Sequence, residues 1–185
     1  MKFALRNQGI SVADSQLVLG SVPRGSHCLF RFYRSVGLVI ERMWKHSSNT
    51  QATSLLYTIG HRVNPNGSPT AAGVAYLRKF LREDLGMKDT SLVIHDGCGL
   101  CTYNHLSPAA LTAILRYGYN DKSIYDMLYR HLSVSGVDGT LRNELNDVKL
   151  RGKIHGKTGT LSHPYGISSL AGYCKGGNGH TLAFA

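Results

Sequence analysis

The spacing of apolar residues changes once along this sequence, and that change limits the folds open to it. Between Ser35 and His131 apolar side chains return every three or four positions, the repeat of a helix face. After that stretch the pattern turns to short runs broken by glycine, the mark of strands and hairpins. Helices gathered in the middle and strands gathered at the end predict an α+β fold, with helices packed on an antiparallel sheet.

Individual segments sharpen this expectation. Ser35 to Lys45 carries Val36, Val39, Ile40 and Met43 at helical spacing and runs into the polar break His46-Ser47-Ser48-Asn49. A second helix is expected from near Thr50, with Ala52, Leu55, Leu56 and Ile59 buried and Ser48 or Asn49 as its cap. After the loop Asn64–Pro69, Thr70 opens a helix with Val74, Leu77, Phe80, Leu81 and Leu85 on one face, ended by Gly86. Ser91 to Ile94 reads as a short strand entering the turn Asp96-Gly97. Ser107-Pro108 starts a helix backed by Leu111, Ile114 and Leu115, and another covers Ser123 to His131. Residues 135–140 read as a loop and Lys153 to His155 as a strand. Ile167 to Cys174 and His180 to Ala185 form a hairpin across Gly176-Gly177-Asn178-Gly179.

With 185 residues, 42% hydrophobic and 17% charged, the chain has material for one domain with a core. No apolar stretch is long enough to span a bilayer, and the first residues lack the apolar region of a signal peptide. The formal charge of +10 favours polyanions. The basic residues are nevertheless scattered, without interleaved aromatics or a nucleic-acid module, so nucleic acid is not expected as the partner. Four cysteines (Cys28, Cys98, Cys101 and Cys174) are too few for a disulfide framework.

Four segments could carry chemistry. Lys157-Thr158-Gly159-Thr160 puts an ammonium, hydroxyls and a closely approachable backbone together, as a carboxylate or phosphate site requires; taken alone it reads first as an ordinary turn. Ser47-Ser48-Asn49 offers a hydroxyl and an amide between two helices, and also reads as a helix cap. Asp96-Gly97-Cys98-Gly99-Leu100-Cys101, followed by Asn104, reads as a tight structural turn, with zinc held by His95, Cys98, Cys101 and His105 as the alternative. Ser135-Gly136-Val137-Asp138-Gly139-Thr140-Leu141-Arg142 reads as a glycine-rich surface loop without chemistry of its own.

Taken in order, these blocks and Ser169-Leu170-Ala171-Gly172-Tyr173 resemble the D-alanyl-D-alanine carboxypeptidase/endopeptidase family of low-molecular-mass penicillin-binding proteins. The resemblance implies the serine β-lactamase/transpeptidase fold and an acyl-enzyme route on peptidoglycan stem peptides ending in D-Ala-D-Ala. It implies β-lactams as family ligands, a periplasmic or cell-envelope setting, and no cofactor and no metal. Carried over by position, Ser47 shuttles protons, Asn49 holds the substrate amide and Lys157 sets the electrostatics of the site. Thr158 and Thr160 contact the terminal carboxylate, and Gly159 keeps the strand edge clear. Asp96, Gly97, Gly99 and Asn104 build the structural turn, where the family pattern has serine at the positions of Cys98 and Cys101.

The nucleophilic serine of that family lies in Ser-x-x-Lys, and none of the 185 residues begins such a motif. The expectation is therefore that residues 1–185 are the C-terminal portion of one transpeptidase-like domain, with 1–20 the return from an inserted domain. Such a chain would be inactive alone. The competing expectation is a non-enzymatic module that binds zinc or polyanions.

Overall fold

The computed structural model describes residues 2–88, 92–164 and 166–185. They fall into two compact units, Met1–Tyr33 and Arg34–Ala185. The first holds a short helix α1 (Lys2–Asn7) and a single 3-10 turn (Asp14–Gln16), with Lys2 paired to Asp14. None of its described residues is buried.

The second unit carries the helices and the sheet. α2 (Val36–Lys45) starts on Ser35, whose Oγ accepts from the Leu38 amide at 3.4 Å, and buries Ile40. α3 (Asn49–Val63) starts one residue earlier than the apolar spacing suggests. Ser48 occupies its cap position without a side-chain capping bond. α4 (Pro69–Glu83) also starts one residue early, because Pro69 fits the first turn and Ser68 Oγ caps the Ala71 amide at 3.4 Å. It ends at Glu83, and Gly86 follows in the left-handed region at φ 63°.

α3 and α4 approach closely because two glycines leave room. A Cβ on Gly60 would lie 1.8 Å from the Pro69 carbonyl oxygen, and one on Gly73 would lie 2.6 Å from that of Leu56. α5 (Pro108–Asn120) is capped by Ser107, and α6 (Lys122–His131) by Asp121, whose carboxylate accepts from the Ser123 and Ile124 amides.

The sheet has the order β1-β2-β3-β4 and is antiparallel throughout. β1 (Ser133–Val134) has only two residues and no apolar run, so the apolar pattern does not mark it. β2 (Ile154–Leu161) is longer than expected: it continues through Lys157-Thr158-Gly159-Thr160, so that segment is strand and not turn. The register against β3 (Ile167–Lys175) explains the extension, since every residue from Ile154 to Leu161 faces a partner from Cys174 back to Ile167. β4 (Thr181–Phe184) closes the hairpin where expected. The strand expected over Ser91–Ile94 begins outside the described residues; within them, Val93 makes a single bridge to His105.

The core lies where β3 meets the helices. Tyr173, Leu115 and Leu132 are buried together, with Trp44, Tyr125, Leu128 and Tyr129 around them. Tyr173 is fully enclosed, and its hydroxyl donates to the Leu115 carbonyl at 2.6 Å. Burial, then the neighbouring Tyr125, pushes that phenol up to about 12. The mixed α+β expectation holds. No described helix is long and apolar enough to cross a membrane.

Candidate active site

The break between α2 and α3 is held in an unusual backbone shape. The amides of His46 and Ser48 both return to the Arg42 carbonyl, at 3.2 and 3.3 Å, and Ser47 between them has φ 50°. A non-glycine residue pays for the left-handed region, so its surroundings must hold it there. One contact that does so comes from the sheet: Lys157 Nζ donates to Ser47 Oγ at 2.8 Å. Asn49, two residues on, is the first residue of α3 and is exposed. The two motifs therefore meet on the second unit, through residues 110 positions apart.

Lys157 is partly buried, and burial disfavours its charged form, holding its amine below the ordinary lysine value. It also donates to the carbonyl of Thr158. A carboxylate placed beside it would reverse that effect and favour the ammonium.

One side of β2 is open here. β1 covers only His155 and Gly156, so among the described strands Lys157 to Leu161 pair on the β3 side alone. Gly159 has a second steric role: a Cβ there would sit 2.4 Å from Ser169 Oγ on β3. Thr158 Oγ1 donates to Thr140 Oγ1 at 2.8 Å, and Thr160 is exposed.

The segment after β1 that looked like an inert loop supports this arrangement. Asp138 pairs with Lys45, two residues before Ser47, and its other oxygen accepts from the Val134 amide at 2.9 Å. Ser133 is fully buried and accepts from the Thr140 amide at 3.1 Å. Gly139, at φ 58°, lets the chain pass: a Cβ there would lie 2.3 Å from Ser133 Oγ and 3.0 Å from the Lys45 carbonyl oxygen. Lys45, Ser133, Asp138 and Thr140 are thus site-supporting residues that sequence reasoning missed. The signal available was an aspartate between glycines beside Ser133-Val134-Ser135, where polar residues alternate through a buried strand.

The Asp96 segment is a self-contained turn. Asp96 accepts from the Gly99 amide at 2.8 Å, the Cys101 amide at 2.7 Å and the Asn104 side chain at 3.0 Å. Cys98 Sγ donates to the same carboxylate at 3.7 Å. Partial burial raises the Asp96 pKa, but the bond from Asn104 and then those from Cys101, Gly99 and Cys98 outweigh it, so the carboxyl stays below its usual value. Gly97 lets the turn rest on α3, where a Cβ would lie 2.9 Å from Leu56 Cβ and 3.0 Å from the Ala52 carbonyl oxygen. Among the described residues, no three His, Cys, Asp or Glu side chains are grouped to hold a metal ion. Cys98, through its thiol, and Cys101, through its amide, serve the Asp96 carboxylate instead.

Two of the motifs thus meet, through the bond from Lys157 to Ser47. The chain belongs to the D-Ala-D-Ala carboxypeptidase 3 (S13) family, whose sequence profile matches residues 1–185. It is similar to the D-alanyl-D-alanine carboxypeptidase DacB of Haemophilus influenzae, with 25% identity over 183 residues, which is 97% of this chain and 37% of that protein. The fold matches penicillin-binding protein 4 (dacB) of Haemophilus influenzae solved with a β-lactam, at a TM-score of 0.81 and 23% identity. That match covers 97% of this chain and 41% of the other. A further structure of that protein gives a TM-score of 0.68 and 26% identity, over 79% of this chain and 32% of the other. The chain spans well under half the length of these relatives.

Proposed function

We propose that this chain forms the Ser-x-Asn and Lys-Thr-Gly side of a serine-type D-Ala-D-Ala carboxypeptidase or endopeptidase site. The site would act on peptidoglycan stem peptides in the periplasm or cell envelope and accept β-lactams. The observation that carries the reading is the 2.8 Å bond from Lys157 to Ser47. It joins two motifs that have no local reason to meet.

In this reading the open edge of β2 takes the peptide backbone as an added strand, with a main-chain amide aimed at the developing oxyanion. Lys157 supplies positive charge, and Thr158 and Thr160 receive the terminal carboxylate. Gly159 keeps side-chain bulk away from the peptide, and Asn49 holds the substrate amide. A serine hydroxyl attacks the penultimate D-Ala carbonyl, the C–N bond breaks, and terminal D-Ala leaves carrying the proton that Ser47 relays. Water then cleaves the ester. Asp96, Gly97, Gly99 and Asn104 act as scaffold. The attacking serine belongs to a Ser-x-x-Lys motif, which these 185 residues do not contain, so the chain by itself binds but does not acylate.

Amide NMR during titration with diacetyl-Lys-D-Ala-D-Ala tests the binding half. Shifts are expected at Ser47, Asn49 and Thr158 to Thr160, absent with the L-Ala-L-Ala peptide, and Lys157→Met should weaken binding about tenfold, the worth of one charge-assisted bond. Shifts confined to other regions would overturn the reading. Incubation with a fluorescent penicillin should leave no covalent band, and stoichiometric labelling would overturn the acylation half.

A further inference from the structure

Thr158, Thr140 and Ser133 form a line of hydroxyls running from the candidate carboxylate site into the interior. Thr158 Oγ1 lies 2.8 Å from Thr140 Oγ1, which lies 3.2 Å from Ser133 Oγ. The line ends at the Trp44 carbonyl, 3.4 Å from Ser133 Oγ. A carbonyl can only accept, so when Ser133 donates to it, Thr140 donates to Ser133 and Thr158 donates to Thr140. Every proton then points inward. In that state Thr158 shows a ligand only lone pairs, which a carboxylate avoids.

We propose that this line is a reversible hydroxyl relay, with Thr140 as the positioning residue that lets Thr158 offer its proton to an anionic ligand. On reversal Ser133 donates to Thr140 and Thr140 donates to Thr158, while Thr158 O–H turns toward the carboxylate. No bond is broken covalently and no proton leaves its oxygen; each hydroxyl only rotates. Reversal gives up the longest contact of the set, 3.4 Å, in exchange for a charge-assisted bond. The Thr140 amide keeps its 3.1 Å bond to Ser133 Oγ in both states, so the backbone has no need to move. Buried Ser133 stays partnered throughout, as an enclosed hydroxyl must.

The inference rests on the carboxylate role given to Thr158 above, and the experiment separates the two. Diacetyl-Lys-D-Ala-D-Ala and its C-terminal carboxamide are titrated into the full chain and its Thr140→Val and Thr140→Ser variants. The unchanged chain should prefer the carboxylate; Thr140→Val should cut that preference about three- to tenfold, and Thr140→Ser should restore it. A purely structural Thr140 would weaken both peptides alike. A preference that survives Thr140→Val overturns the relay and leaves the carboxypeptidase reading standing. An unchanged chain without any carboxylate preference overturns the role of Thr158, and the relay with it. Should Thr140→Val fail to fold, Thr140→Ala takes its place with the same two outcomes.

Discussion

Asp96 and Lys157 each sit at the centre of a glycine-containing polar segment, and each is partly withdrawn from water, yet they are held by opposite means. Asp96 is satisfied by donors between Cys98 and Asn104, all within eight positions of it. Lys157 has one side-chain acceptor among the described residues, Ser47, supplied by a different part of the chain. The aspartate is saturated and its pKa is lowered by its bonds; the lysine is under-partnered and its pKa is lowered by burial. A saturated charge stabilises the fold, whereas an under-partnered charge beside an open strand edge is free to meet a ligand.

The largest effect that would test this contrast is on Asp96. Asp96→Ala removes the acceptor for two backbone amides and two side chains, and urea denaturation should show a loss of about 3 kcal/mol, a few bonds to a charged group. Because the folded pKa lies below the unfolded one, the stabilisation is present above about pH 4 and fades as pH falls through the folded value. A loss below about 1 kcal/mol would erase the distinction between the two regions.

A smaller effect on stability is expected from Lys157→Met, under about 1 kcal/mol in either direction, since one lost hydrogen bond offsets one relieved burial. A lysine whose folded pKa is lowered makes the fold gain stability as pH rises toward its unfolded value of 10.5. Denaturation between pH 8 and 10.5 should show that gain in the unchanged chain and less of it in Lys157→Met. A variant as damaged as Asp96→Ala would mean the lysine is structural.

The smallest expected effect is on Cys98→Ser. The thiol reaches the Asp96 carboxylate at 3.7 Å, and a hydroxyl makes a stronger bond to an anion, so the melting midpoint should rise by the equivalent of about 0.5 kcal/mol. Unchanged or lowered melting would show that the turn is fitted to sulfur.

The sequence was readable wherever a segment's partners lie nearby in the chain. The helix start at Ser107-Pro108 and the hairpin at Gly176–Gly179 follow from groups reaching backbone two to four residues away. The Asp96 turn is of the same kind. The Lys157 segment was ambiguous between turn and strand because nothing within it chooses; pairing with β3 does. The roles of Thr140 and Asp138 were not legible, since their partners, Thr158 and Lys45, lie 18 and 93 positions away.

Composition and periodicity alone settled that helices would precede an antiparallel sheet, because amphipathic spacing is a local property that every such fold must obey. Only the tertiary structure decided that Ser47 would be held at φ 50° against Lys157, and that β1 would stop after two residues and leave the Lys-Thr-Gly edge open. Those outcomes depend on which surfaces come together once the core around Tyr173 closes, and no short stretch of sequence encodes a distance between residues so far apart.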